Sequence, residues 1–132
     1  MSLEIHHINI AVRDLNIASQ KFSALLDCKP MREELPQRKA TTARFQCGSV
    51  WLVLVAPTCQ TSPINGYLAQ RGEGVFLLSF TADALDEKLA TLERDGAITP
   101  QSDRRTGLDN WQIQDIDIGY TFDLVLQLCQ PK

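Results

Sequence analysis

Apolar and polar residues alternate over Glu4–Val12 (EIHHINIAV), and the β-branched content of this run predicts a strand. Side chains alternate across a strand, so Ile8, Ile10 and Val12 fall on one face and His7, Asn9 and Ala11 on the other. The period then lengthens. Asp14 is placed to cap a helix over Leu15–Leu26, with Ala18, Phe22, Leu25 and Leu26 as its apolar stripe. Three strands are predicted next, over Pro30–Leu35, Thr41–Cys47 and Val50–Ala56, with Pro36–Lys39 and Gly48-Ser49 as turns. Pro57–Pro63 reads as a loop, and Pro63 or Ile64 opens a short helix that ends near Gly72.

The second half starts the series again. Gly74–Thr81 (GVFLLSFT) predicts a strand. A helix follows from Asp83 or Ala84 to Asp95, with Leu85, Leu89 and Leu92 on one stripe and Gly96 as its stop. Strands are expected over Ile98–Ser102, Trp111–Ile116 and Thr121–Cys129, the first two separated by the loop Arg104–Gly107. The order is therefore β-α-β-β-β, twice. A slide of 70 residues sets Ile8 on Leu78, Ile10 on Phe80, Leu15 on Leu85 and Phe22 on Leu92. At the closing strands a slide of 74 sets Leu52-Val53-Leu54 on Leu126-Gln127-Leu128.

One helix per half covers one face of four strands. The bare faces of two such halves are expected to curl into one curved mixed sheet around a shared cleft. The fold class is thus α+β, paired βαβββ modules in a single domain over 1–132, module 1 about 1–72 and module 2 about 73–132. Alternation assigns Ile8, Ile10, Leu78 and Phe80 to the helices, and His7, Asn9, Leu77, Ser79 and Thr81 to the cleft. For the closing strands, alternation groups Trp51 with Val53 and Val55, and Val125 with Gln127 and Cys129. It leaves open which group looks inward.

Composition narrows the chemistry. With 13 Lys+Arg against 16 Asp+Glu the net charge is −3, and no basic stripe marks a nucleic-acid partner. The longest apolar run, Val50–Ala56, is too short to span a bilayer, and no secretory leader is visible, so a cytoplasmic location is expected. Cys28, Cys47, Cys59 and Cys129 are scattered without a zinc-type spacing and are expected reduced and mostly buried. The two histidines, His6 and His7, are adjacent, so a strand points them to opposite faces.

The runs IHHINIAVRDL, LVLVAP, SPINGYLAQRGEGVFLLSF and LVLQLCQ together resemble the vicinal oxygen chelate superfamily. That superfamily holds glyoxalase I, extradiol dioxygenases, bleomycin-resistance proteins and methylmalonyl-CoA epimerase. The likeness covers nearly the whole chain and looks closest to the epimerase-like members. It implies a cleft site, commonly a homodimer, and a divalent metal held by His, Gln, His and Glu. Carried over, those four positions fall on His7, Val53, Leu77 and Gln127, and the family's catalytic glutamate falls on Thr42. Val53 and Leu77 have no electron pair to donate, Gln127 offers only a neutral amide oxygen, and Thr42 is no base near neutral pH without activation.

The expectation is therefore a superfamily member with a degenerate metal site and no cofactor, binding a small organic or acyl-thioester ligand. His7, Asn9, Thr42, Arg44, Val53, Leu77 and Gln127 would line the site. Arg44, whose planar fork suits a carboxylate or phosphate, shares its face with Thr42 and Gln46. His7 is the one candidate for proton transfer. The alternative is a divalent-metal-dependent epimerase or lyase resembling methylmalonyl-CoA epimerase or glyoxalase I.

Overall fold

The computed structural model describes residues 2–120 and 123–132. They form two compact units. One is His7–Phe76; the other joins the chain up to His6 with Leu77–Lys132.

In the His7–Phe76 unit the strands are β1 (Ile5–Ala11, begun in the other unit), β2 (Met31–Leu35), β3 (Ala40–Cys47) and β4 (Val50–Pro57), in the order β2-β3-β4-β1. The sheet is mixed: β1 runs parallel to β4, and the other pairs are antiparallel. Helix α1 (Leu15–Leu26) starts where expected, because Asp14 Oδ1 accepts the Ile17 N–H at 3.0 Å. Between β3 and β4 the chain reverses through Gly48, whose φ of +64° is open to glycine at no steric cost. A shorter helix, α2 (Ile64–Arg71), ends as Gly72 turns left-handed and donates to Leu68 O.

The core beneath α1 holds Val12, Leu15, Ala43, Phe45, Leu54 and Ala56, joined by Ala18, Phe22 and Leu26. Leu25 is not among them and stands exposed. At 100° per residue it lies roughly 80° from Leu15, off the centre of the stripe, and buried Ser19 lies closer to that centre.

The second unit carries β5 (Gly74–Thr81), α3 (Leu85–Arg94), β6 (Thr99–Pro100), β7 (Arg105–Thr106), β8 (Gln112–Asp117) and β9 (Val125–Gln130). The order β5-β9-β8-β6 has β5 and β9 parallel and the rest antiparallel, which reproduces the topology of the first unit. Asn9 pairs with Val53, and Ser79 with Gln127. The slides of 70 and 74 residues therefore meet at one cross-strand register. The core of this unit is Ala82, Leu85, Leu89, Ile98, Ile116 and Leu128, with Phe80, Leu92 and Leu126 against it. No side chain caps α3 from within the helix start; Gln130 Oε1 accepts the Leu85 N–H at 2.9 Å from across the unit.

Three stretches differ from expectation by more than one residue. The strand expected over Ile98–Ser102 shrinks to Thr99–Pro100 at the edge of the sheet, although the Gln101 N–H still donates to Asp115 O at 2.9 Å. Arg105 and Thr106, expected in a loop, pair with Ile113 and Gln112. The start of the last expected strand, Thr121 and Phe122, lies outside the described residues, and the strand runs from Val125. Of the cysteines only Cys129 is buried; Cys28 and Cys59 are exposed, both in loops. Among the described residues no helix is long and apolar enough to cross a membrane.

Candidate functional site

In each unit the helix takes one face of the sheet, and alternation delivers the polar residues to the other. In the His7–Phe76 unit the register sets Asn9, Val53 and Arg44 in one row across β1, β4 and β3. His7, Trp51 and Gln46 form the next row, and Ala11, Val55, Thr42 and Glu33 the next. Phe45 and Leu54, in the α1 core, fix the opposite face, so the tertiary structure turns Val53 and Thr42 away from the helix. His7, Asn9, Thr42, Arg44 and Val53 thus share a surface.

Its strongest electrostatic feature is Arg44. The side chain is 4% exposed, and its Nη1 donates to Glu33 Oε1 at 2.7 Å while the guanidinium carbon lies 5.3 Å from the centre of the Trp51 ring. A buried cation needs such company: an anion on one side and an aromatic face on another. Thr42 Oγ1 donates to Glu33 O at 2.7 Å, so its hydroxyl proton is already engaged. Asn9 Oδ1 is buried with no hydrogen-bond partner among the described residues. Glu33 escaped the sequence reading, although a signal existed. A hairpin centred on Gln37 and Arg38 places Glu33 opposite Thr42.

In the second unit Leu77, Ser79 and Gln127 lie on the face away from α3, as Leu77 pairs with Val125 and Ser79 with Gln127. Here the sequence did not indicate that Asp115 and Arg105 join Gln127. Asp115 Oδ1 accepts from Gln127 Nε2 and from Arg105 Nη2, both at 3.1 Å. Ser102 Oγ accepts from Arg105 Nη1 at 3.2 Å and from the Asp115 N–H at 3.3 Å. No sequence signal placed Asp115 beside Gln127, because the long connection between β8 and β9 hides their register.

His6 belongs to this unit. Its Nδ1 stands 3.6 Å from Cys129 Sγ, and its ring meets the Trp111 ring edge-on at 4.6 Å. Burial lowers the His6 pKa from its ordinary 6.5. Burial also pushes the Cys129 thiol up to about 12, against a smaller opposing effect of the Ser79 hydroxyl. Both groups are therefore neutral near pH 7. A folded-state histidine pKa below the unfolded one means that stability falls as pH drops through 6.5 and levels off below the folded value. A raised thiol pKa means that stability falls as pH rises from about 9 towards 12. The slope from this thiol is at most about 1.4 kcal/mol per pH unit. Urea midpoints measured from pH 5 to 10.5 are expected to peak between about 6.5 and 9. Cys129→Ala is expected to flatten the alkaline limb relative to the unmodified protein.

Whether these residues fit the metal that the superfamily resemblance implies is a question of donors. Val53 and Leu77 are fully or almost fully buried hydrocarbon. Gln127 turns its amide nitrogen, not its oxygen, to the carboxylate of Asp115. Of the four carried-over positions His7 and the Gln127 oxygen alone retain a lone pair for a cation, so the set does not fit a hard divalent ion. His6 and Cys129 offer a nitrogen and a sulfur close together, a softer pair, with the thiol held protonated.

The comparisons bear on class and on kin. The family described as the Glyoxalase/Bleomycin resistance protein/Dioxygenase superfamily matches residues 6–114, and the chain belongs to it. Among curated proteins it is similar to the uncharacterized protein YqjC of Bacillus subtilis (strain 168), 29% identical over 129 residues, covering 97% of this chain and 92% of that one. The hypothetical protein BH1468 of Bacillus halodurans C-125 shares the fold with a TM-score of 0.90 at 21% identity, covering 100% of this chain and 96% of the other. A Streptomyces coelicolor methylmalonyl-CoA epimerase variant in complex with 2-nitronate-propionyl-CoA superposes with a TM-score of 0.82 at 25% identity, covering 97% of both chains. The fold is thus that of the vicinal oxygen chelate proteins, close to the epimerase-like members.

Proposed function

We propose that this protein binds a small organic ligand, an acyl thioester or a related acyl compound, against the helix-free faces of its sheets. It does so without a resident divalent metal at the four carried-over positions. The observation that carries this reading is the pair of hydrocarbon side chains, Val53 and Leu77, standing where donors would be required. Thr42 supports it, because a hydroxyl at the position of the family's glutamate is far too weak a base to take a proton near neutral pH. The acyl class follows the neighbours, whose solved complexes contain methylmalonyl-CoA and 2-nitronate-propionyl-CoA.

In this reading Val53 and Leu77 form apolar wall, Arg44 faces a carboxylate or phosphate, and His7, Asn9, Thr42 and Gln127 meet polar atoms. His7 is the one residue of this set suited to move a proton near neutral pH. The protein acts as a cytoplasmic homodimer. A second reading, a metal-dependent epimerase or lyase, draws on one observation: the His6–Cys129 nitrogen–sulfur pair could replace lost donors.

Elemental analysis of protein purified without chelator separates the two. The expected result is no stoichiometric divalent metal, with acyl-CoA binding measurable by calorimetry and unchanged by added Co²⁺ or Mn²⁺. One metal per chain that His7→Ala removes would overturn the first reading. Metal that survives His7→Ala but is lost in Cys129→Ala would establish the second.

A further inference from the structure

Gln127 is 1% exposed, and its amide is used at one end only. A carboxylate accepts hydrogen bonds and cannot donate them. The group 3.1 Å from Asp115 Oδ1 must therefore be the Gln127 NH₂, which settles the orientation of an amide that could otherwise be turned over. Asp115 is itself held in place. Arg105 bonds the same oxygen, and Ser102 ties Arg105 to the Asp115 backbone. The chain Arg105–Asp115–Gln127 thus ends on Gln127 Oε1, a buried acceptor that no donor among the described residues reaches.

We infer that Gln127 Oε1 receives a neutral hydrogen-bond donor of the ligand, an amide N–H or a hydroxyl. This inference rests on the ligand-binding reading above and names the chemistry of one end of the ligand. An anion is disfavoured there, since the amide oxygen carries partial negative charge and a carboxylate stands behind it. An ammonium is disfavoured as well. Arg105 already neutralises Asp115, so the triad has no net charge to offset the desolvation of a second cation. Leu77 and Val125 beside the amide add an apolar flank, which suits a neutral group. A cavity of about 370 Å³ in the same unit is lined by Asp115, Asp117 and Val125, so an opening reaches the residue that orients the amide.

The test uses matched fragments: secondary carboxamides and alcohols against their N,N-dialkyl amides and methyl ethers. They are titrated into ¹⁵N-labelled full-length protein. The Gln127 side-chain NH₂ signals are assigned by their loss in Gln127→Leu. Donor members are expected to shift those signals and to bind about tenfold more tightly than their partners. In Asp115→Asn the new amide oxygen takes the place of Oδ1 and still accepts from both Arg105 and Gln127, so the donor preference is expected to persist. Gln127→Leu is expected to abolish it, with the fold checked by circular dichroism. Fragments that bind elsewhere on these faces with no donor preference and no Gln127 shift would overturn the inference and leave the ligand-binding reading standing. An absence of binding by fragments and acyl-CoA alike would overturn both.

Discussion

Phe45→Ala is expected to lower stability by about 3–5 kcal/mol, the largest loss from a single side chain in the His7–Phe76 unit. Phe45 has no exposed surface, sits among Leu15, Leu54 and Ala56, and lies 6.2 Å from the Phe22 ring. Truncation removes the transfer energy of a whole ring and leaves a cavity that sheet and helix cannot both close. A domain holds about 5–15 kcal/mol in total, so the variant should be partly unfolded at 37 °C. The urea midpoint should fall at nearly unchanged slope. Phe45→Leu, which keeps most of the volume, should lose clearly less. The effect also bears on ligand binding, because Phe45 lies between Arg44 and Gln46 on β3 and faces the other way. Loosening the core loosens the strand that positions Arg44. An unchanged midpoint in Phe45→Ala would mean that α1 does not pack on β3 as described.

The second large effect is expected at Asp115. Asp115→Ala strips two donors of their acceptor at once: the guanidinium of Arg105 and the buried NH₂ of Gln127. Arg105 retains some access to water, so the loss should be about 2–3 kcal/mol rather than that of a fully buried charge. Gln127→Leu should behave differently. It removes a buried amide whose oxygen is unsatisfied, and it leaves Asp115 on Arg105, so stability should stay level or rise by about 1 kcal/mol. The double variant should lose less than the single Asp115→Ala, because the amide no longer needs its acceptor. By contrast the Arg104–Asp86 pair is exposed, and Asp86→Ala should change stability by less than about 0.5 kcal/mol. A Gln127→Leu variant destabilised as strongly as Asp115→Ala would mean that the amide oxygen is satisfied within the protein. A stabilised variant that loses ligand binding would mark the group as functional.

These two expectations draw on different layers of the molecule. The Phe45 core follows from periodicity: a strand alternating Ala43, Phe45 and Cys47 against a helix with Leu15, Phe22 and Leu26 at helical spacing could be read before any coordinates. Leu25 shows where that reading gives out, since the edge of a helical stripe depends on how far the neighbouring sheet extends. The Asp115 network was not legible. Asp115 and Gln127 are twelve residues apart, joined by a connection whose length fixes no register, and Arg105 lies in a segment that reads as a loop. Glu33 occupies an intermediate place, within reach of hairpin geometry once Thr42 is known to face away from α1.

Taken alone, the order of residues determined the α+β class, the two βαβββ series, the helix-facing and helix-free sets of β1 and β5, and the absence of donors at Val53 and Leu77. Those are properties of single side chains and of local period, which no packing can change. Only the tertiary structure decided which face of β4 and β9 turns from the helices. It alone brought Glu33 to Arg44, Asp115 to Gln127 and His6 to Cys129, and so set which buried polar atoms are satisfied. Partnership across strands is a matter of register, and register is set by hydrogen-bonded pairing over distances that a linear pattern does not encode.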